Sequence, residues 1–387
     1  MSLEVLSPVN ADVLAFINEK SPHCIGNSIY VHTKENGLPN IKDKKLAILC
    51  ILENRRSSSE NDFINIDGFR KSFYNLFPGQ WQHEIVDLGD LKAGHSFQDT
   101  CYALKGVLSF LYENKIIPII IGGSQALTYI QYRAYDDLKR MVNIVNIDAC
   151  FDMGNSNEDL DASNFISKAV LEQPYNLFNY ATLGYQTFFN PKEEIELVEQ
   201  LNFETYRLGE ITENLQLSEP VLRDADIVSV DLNAIQVSEL SKKENGSANG
   251  FNGREICTLT RYAGISEKVS SFGCYEFDLN SQQNKTSNLL AQMIWYFIEG
   301  VNFRVEENAE LDSKYYQKFS VLQDEQEIVF YKSLKTGRWW IEIPFFQNVN
   351  NKLKKQALLP CTLKDYEATM GGSLPERWLK ALKKNAL

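Results

Sequence analysis

Short, continuous apolar runs alternate with segments whose apolar positions fall three and four residues apart, from Lys45 to about Gly300. That alternation predicts an α/β protein built on a largely parallel sheet. The runs read as strands are Leu46–Leu52, Glu84–Leu88, Ile117–Ile121, Val142–Asp148, Leu177–Leu183, Thr205–Leu208, Ile227–Asp231 and Val269–Tyr275. Ile116-Ile117-Pro118-Ile119-Ile120-Ile121 is the clearest, because a strand buried on both faces loses the polar alternation of a half-exposed one. Helical spacing covers Thr100–Asn114, Gln125–Lys139 and Ser287–Glu299. In such sheets the loops leaving the carboxyl ends of several strands converge, and ligands bind there.

After Gly300 the pattern changes. Glu325–Ser333 and Gly337–Pro344 flank Lys335-Thr336-Gly337, which predicts a β-hairpin with Trp339 and Trp340 on one arm, and a short basic helix follows. The expected division is therefore an α/β domain over 1–302, with 1–43 as an N-terminal segment resembling neither half, and an extension over 303–387. Lys242–Asn252, rich in Ser, Asn and Gly, reads as a loop.

Composition narrows the classes. With 387 residues, 44% hydrophobic and 12% aromatic, the chain can bury one large core and a smaller satellite. No stretch approaches the roughly 20 apolar residues of a membrane span, and Met1-Ser2-Leu3-Glu4 lacks the basic start of a signal peptide, so a cytoplasmic location is expected. Seven cysteines without CxxC spacing predict reduced thiols. A net charge of −12 argues against nucleic acid or an anionic membrane as a partner, and the one dense basic stretch in the sequence is Lys380 to Lys384.

Three segments carry the candidate chemistry, each at a predicted strand end: Ile119-Ile120-Ile121-Gly122-Gly123-Ser124-Gln125, Val145-Asn146-Ile147-Asp148-Ala149-Cys150-Phe151-Asp152 and Ile227-Val228-Ser229-Val230-Asp231-Leu232-Asn233. In order, spacing and flanking residues they resemble the GGDHS, DAHxD and SxDxD motifs of the arginase, agmatinase and formimidoylglutamase family, the ureohydrolases. Gly250, Phe251, Arg254 and Glu255 resemble the family's Gly-Leu-x-x-Arg-Glu stretch opening the penultimate core helix. Gly68-Phe69-Arg70 and Val86-Asp87-Leu88-Gly89-Asp90 resemble its Gly-Pro…Arg helix start and Asp-x-Gly turn. Glu276 is similar to the glutamate that receives the substrate guanidinium, although Asp278-Leu279-Asn280 stands where Asn-Pro usually follows. The resemblance runs from about Lys45 to Gly300. It implies a three-layer α/β/α fold with an eight-stranded, mostly parallel sheet, and a homo-oligomer by family habit.

The resemblance places the family's six metal-ligand positions on Gln125, Asp148, Cys150, Asp152, Asp231 and Asn233. Three carboxylates remain, while both imidazoles and one carboxylate are replaced. Gln125 and Asn233 offer neutral amide oxygens, and Cys150 offers a soft thiolate suited to zinc rather than manganese. Ser124 replaces the carboxylate after the two glycines, and Phe151 to Gln173 holds no counterpart of the family's proton-shuttling histidine. The expectation is thus an arginase-fold protein that has lost binuclear-manganese hydrolysis, carries no cofactor, and acts by binding, as a scaffold or as a regulator. Its ligand would be a small guanidino or amine compound at Glu276. A protein partner would dock on the extension through Trp339, Trp340 and Trp378, unless those rings form that unit's own core. The alternative is a formimidoylglutamase-like hydrolase of C–N bonds in guanidino or formimino compounds, using one divalent ion, zinc or manganese, on Asp148, Asp152 and Asp231 with help from Cys150. Nucleophilic chemistry at Cys150 is disfavoured in an acidic pocket.

Without a metal, three converging aspartates require at least one raised pKa or a substitute cation. Asp148 and Asp231 read alternatively as caps at strand ends. His23, His32, His83 and His95 read as surface or capping residues, with His95 nearest the mouth of the cleft.

Overall fold

Nine strands form one sheet in the computed structural model of the chain: β1 (Tyr30–Val31), β2 (Leu46–Leu52), β3 (Ile85–Lys92), β4 (Ile117–Ile121), β5 (Val142–Ile147), β6 (Leu177–Tyr185), β7 (Glu204–Arg207), β8 (Ile227–Asp231) and β9 (Ser271–Tyr275). The structure describes residues 3–58, 65–138, 140–241, 246–276, 285–307, 314–323, 326–344 and 358–386. Several expected features therefore fall outside the described residues: Lys139, the start of the 242–252 loop, Asp278-Leu279-Asn280 and Glu325. Among the described residues no helix is long and apolar enough to cross a membrane, and all seven cysteines are free.

The strand order is β1-β3-β2-β4-β9-β8-β5-β6-β7, and every pairing is parallel. The expected eight strands are all present. The ninth, β1, comes from the N-terminal segment, whose two paired residues are too few to show as a periodicity. Alternation along β2 divides the core: Leu46, Ile48 and Cys50 join one apolar layer, and Ala47, Leu49 and Ile51 join the other. Helices Asp67–Tyr74, Gly253–Ile265 and Lys285–Asn302 cover the first layer, and Phe97–Glu113, Leu127–Arg133 and Phe165–Leu171 the second. The expected helix Gln125–Lys139 is shorter, Leu127–Arg133, followed by a 3₁₀ turn at Asp136–Leu138.

Two stretches that the sequence offers separately meet in the core. Buried Arg70 donates from Nε and Nη2 to both oxygens of Asp87, at 2.9 and 3.1 Å, and from Nη1 to Asp90 at 2.6 Å. Tyr74 also donates to Asp87, at 2.7 Å.

The extension forms a second, antiparallel sheet from β10 (Tyr316–Gln323), β11 (Gln326–Ser333), β12 (Trp339–Glu342) and β13 (Leu358–Cys361), with helices Leu363–Met370 and Glu376–Ala386. Trp339 and Trp378 lie inside its apolar core with Phe330 and Ile341. The Arg223 guanidinium lies 4.5 Å from the centre of the Trp340 ring and donates to the Trp339 and Cys361 carbonyls. Two of the three tryptophans offered as partner anchors are therefore interior residues, and the third packs beneath an arginine of the α/β domain. Arg377 pairs with buried Glu204 of β7, and Lys380 donates to the Phe203 carbonyl at 2.9 Å, so the last helix is fastened at the start of that edge strand.

Candidate ligand site at the carboxyl ends of the strands

The three motif segments and Glu276 follow β4, β5, β8 and β9, and these four strands are neighbours in the order β4-β9-β8-β5. Parallel pairing delivers all four carboxyl ends to one side of the sheet. Gly122 and Gly123 both adopt left-handed φ, of 93° and 84°. A Cβ at Gly123 would sit 2.7 Å from the Glu53 carbonyl, so this turn admits only glycine. Past the turn, Gln125 N donates to Glu276 Oε1 at 2.8 Å, locking the end of β4 to the end of β9.

The cluster is held together by amides. Asn146, on β5, donates from one nitrogen to Asp148 Oδ2 and Asp152 Oδ2, each at 3.1 Å, and accepts from Gln125 Nε2 at 2.8 Å. Gln125 Nε2 lies 3.4 Å from Ser229 Oγ on β8. Gln125 Oε1 is buried with no hydrogen-bond partner. Asp148 Oδ1 accepts from Cys150 N at 3.0 Å, and Asp231 caps the turn at Leu232–Ala234 by accepting from Asn233 N at 2.5 Å. The capping reading of these two aspartates is thus realised. Asn233 also donates to Asp231 Oδ2 at 3.1 Å. Cys150 and Asn233 are the part-exposed members of the cluster.

Glu276 is buried and takes several protein donors. Oε2 accepts from Ser57 Oγ and Ser58 Oγ, both at 2.6 Å, and from Ser58 N at 2.9 Å. Both Glu276 and Asp152 have left-handed φ, 62° and 57°, which costs a side-chain-bearing residue energy that the surrounding bonds must offset.

Electrostatics follow from burial. Asp152 is held well above the usual carboxylate range, first by loss of water and then by the negative charge of Asp148 and Asp231. Burial also raises Asp148, against the hydrogen bonds it accepts. Burial and the same aspartates push the Cys150 thiol up, so it stays protonated. Burial and mutual repulsion thus raise the carboxyls of Asp148 and Asp152. The substitute cation is not what meets Asp148 and Asp152; neutral Asn146 does.

Asn146 and Ser229 were not among the residues singled out from the motifs. Their signal is legible in hindsight: each is polar inside an apolar run and sits two residues before an aspartate, which puts both on the same face of the strand. Ser57 and Ser58 carried no comparable signal. Of the histidines, His32 is buried rather than exposed, with Nδ1 3.0 Å from the Leu88 carbonyl. The His95 ring is exposed, and its carbonyl accepts from Arg55 at 3.0 Å.

The donor set does not fit a pair of manganese ions. Those ions need several carboxylates and imidazoles to balance charge and fill their shells. Two of the six positions are neutral amides and one is a soft thiol. Among the described residues no three His, Cys, Asp or Glu side chains stand in an arrangement that could hold a metal ion.

Comparison with known proteins gives the fold its relatives. A family model described as the arginase family matches residues 66–299. Formimidoylglutamase from Bacillus subtilis superposes with a TM-score of 0.63 at 17% identity, covering 73% of this chain and 93% of that one. A Trypanosoma cruzi formiminoglutamase structure with Mn2+ gives 0.62 at 14% identity, covering 73% and 99%. The agmatine ureohydrolase of Thermoplasma volcanium gives 0.58 at 18% identity, covering 75% and 97%. An uncharacterised protein of Methanothermus fervidus is 28% identical over 155 residues, 39% of this chain and 53% of that protein, so the match spans about half of that relative.

Proposed function

Because the chain belongs to the arginase family, we propose that it is a member which binds a small guanidinium- or amine-bearing ligand at the carboxyl ends of β4, β9, β8 and β5, without binuclear-manganese hydrolysis. In this reading it works as a binding or regulatory protein. The observation that carries it is how Asp148, Asp152 and Gln125 are met among the described residues. Asp148 and Asp152 are met by a neutral amide, and Gln125 Oε1 has no donor. A ligand rich in N–H groups supplies both the charge and the donors such a cluster lacks. Its head would enter past Cys150 and Asn233, the part-exposed members.

The competing reading is a hydrolase of guanidino or formimino compounds, favoured by the manganese in the T. cruzi relative. It requires Asp148, Cys150, Asp152 and Asp231 to rearrange around one divalent ion.

One set of measurements separates the two. Protein incubated with manganese, then desalted, is assayed for bound metal, for urea release from agmatine and arginine, and for formamide release from formiminoglutamate. Calorimetry with agmatine is run on metal-free protein. The proposal expects less than stoichiometric metal, no product, and agmatine binding that Asp148→Asn abolishes. Stoichiometric metal with urea or formamide release would overturn it.

A further inference from the structure

The amino-terminal end of the sheet, opposite the acidic cluster, carries a cleft of about 340 Å³ whose cations come from distant parts of the chain. Lys45 immediately precedes β2, Lys115 precedes the run into β4, and Val269-Ser270 precede β9, three adjacent strands. Arg304, just beyond the helix Lys285–Asn302, reaches back and donates to the Gly264 carbonyl at 2.8 Å and the Val269 carbonyl at 2.9 Å. Those bonds fix the guanidinium while using two of its five N–H donors. Arg140 also lines the cleft, donating to Ser270 Oγ at 3.1 Å and lying 3.5 Å from Asp226. Tyr112 and Tyr135, with ring centres 4.3 Å apart, contribute an aromatic wall.

Neither Lys45 nor Lys115 has a carboxylate ion-pair partner among the described residues. The carboxylates nearby are Asp226, which faces Arg140, Glu267, which partly offsets Arg304 and also accepts from the Glu307 N–H at 3.1 and 3.2 Å, and Glu306, which partly offsets Lys45. The crowding of like charges has consequences at two separate groups. Partial burial, Arg304 and Lys115 depress the Lys45 ammonium. Burial, Lys45 and Arg304 depress His83. Holding cations together in this way is unfavourable unless an anion joins them.

The backbone adds a second observation. Lys115 occupies the position after the cap of helix Phe97–Glu113 with a left-handed φ of 56°, where glycine is the ordinary residue. A lysine there brings a charge to the cleft at the expense of backbone strain.

We propose that this cleft is a binding site for a small phosphate-bearing molecule, its phosphoryl oxygens held by Lys45, Lys115 and Arg304 and the remainder lying against the tyrosine wall. The volume is at the lower end for small-molecule sites and larger than a lone phosphate needs, so an organic phosphate fits it better than the free ion.

The test is calorimetry of the full chain at low ionic strength with ribose 5-phosphate, inorganic phosphate and, as an uncharged control, ribose. Saturable binding of ribose 5-phosphate is expected, tighter than that of inorganic phosphate, weakening as salt is added, with ribose silent. Lys115→Gly isolates the charge from folding, because glycine suits the backbone there. It should keep or raise the melting temperature while weakening ribose 5-phosphate at least tenfold, and Lys45→Ala should weaken it similarly. Lys192→Ala, at an exposed lysine elsewhere, should change nothing. Absence of saturable binding, equal affinity for ribose, or unchanged affinity in Lys45→Ala and Lys115→Gly would overturn the proposal. Tighter binding of inorganic phosphate than of the sugar phosphate would overturn its assignment to an organic phosphate.

Discussion

Replacing Arg70 by methionine, which keeps side-chain bulk and removes the charge, tests how the strand β3 is held. Arg70 and Asp87 are fully buried and Asp90 nearly so. Two N–H groups of Arg70 meet Asp87 and one meets Asp90. Removing one partner of a buried pair leaves its carboxylates uncompensated, which costs about 3–5 kcal/mol. That range is the expected loss at pH 7.5, read from urea unfolding. The pH dependence carries the mechanism. Burial already lifts Asp90 above the usual carboxylate range, and Arg70 is what pulls it back down. Without Arg70 the carboxyl rises further. Stability contributed by a raised carboxyl is complete below its unfolded value, roughly pH 4, and lost as pH rises through its folded value. The deficit of Arg70→Met should therefore be small near pH 4.5 and grow towards pH 7.5. Adding Asp87→Asn and Asp90→Asn should recover much of it. A deficit below about 1 kcal/mol at pH 7.5, or one that does not shrink on acidification, refutes the reasoning.

Three further outcomes follow from the geometry. The triple variant Gln125→His, Cys150→His and Asn233→Asp restores hard donors at the cluster and should bind manganese at least tenfold more tightly than the parent, measured by metal titration. Cys150, whose thiol burial and three aspartates keep protonated, should resist iodoacetamide at pH 8 in native protein and react once urea is added, as mass spectrometry would report. Lys384, on the last helix, donates to Asn179 Oδ1 of β6 and is depressed to about 8, chiefly by burial. A depressed folded pKa means stability that is complete above the unfolded value of 10.5 and lost as pH falls through about 8, so Lys384→Met should flatten the rise in melting temperature over that window.

What could be read from the residues divides along a physical line. β2, β4 and β8 were legible to the residue because unbroken apolar runs with abrupt polar ends can be little else. β3 runs on to Lys92 beyond its expected end, since Asp87, Gly89 and Asp90 look like a turn until Arg70, on a helix before it, is seen to neutralise them. The cluster positions followed from motif spacing. Their state did not, because the amide of Asn146 bridging two aspartates is a three-dimensional fact that no local pattern encodes. The basic cleft was invisible for the same reason: Lys45, Lys115 and Arg304 are dispersed along the chain and converge only through strand order.

The fastening of the last helix to the start of β7 has a consequence for how copies of this molecule coexist. A parallel sheet ends in two open ladders, and each open ladder is a template on which another chain can crystallise its own backbone. At one rim β1 offers two paired residues, too short a template to nucleate on. At the other, Arg377 and Lys380 fasten the extension against Glu204 and Phe203. The extension thus works as a built-in chaperone for the rim it shields. Cutting the chain after Asn302 would remove that fastening and leave Glu204 without its arginine.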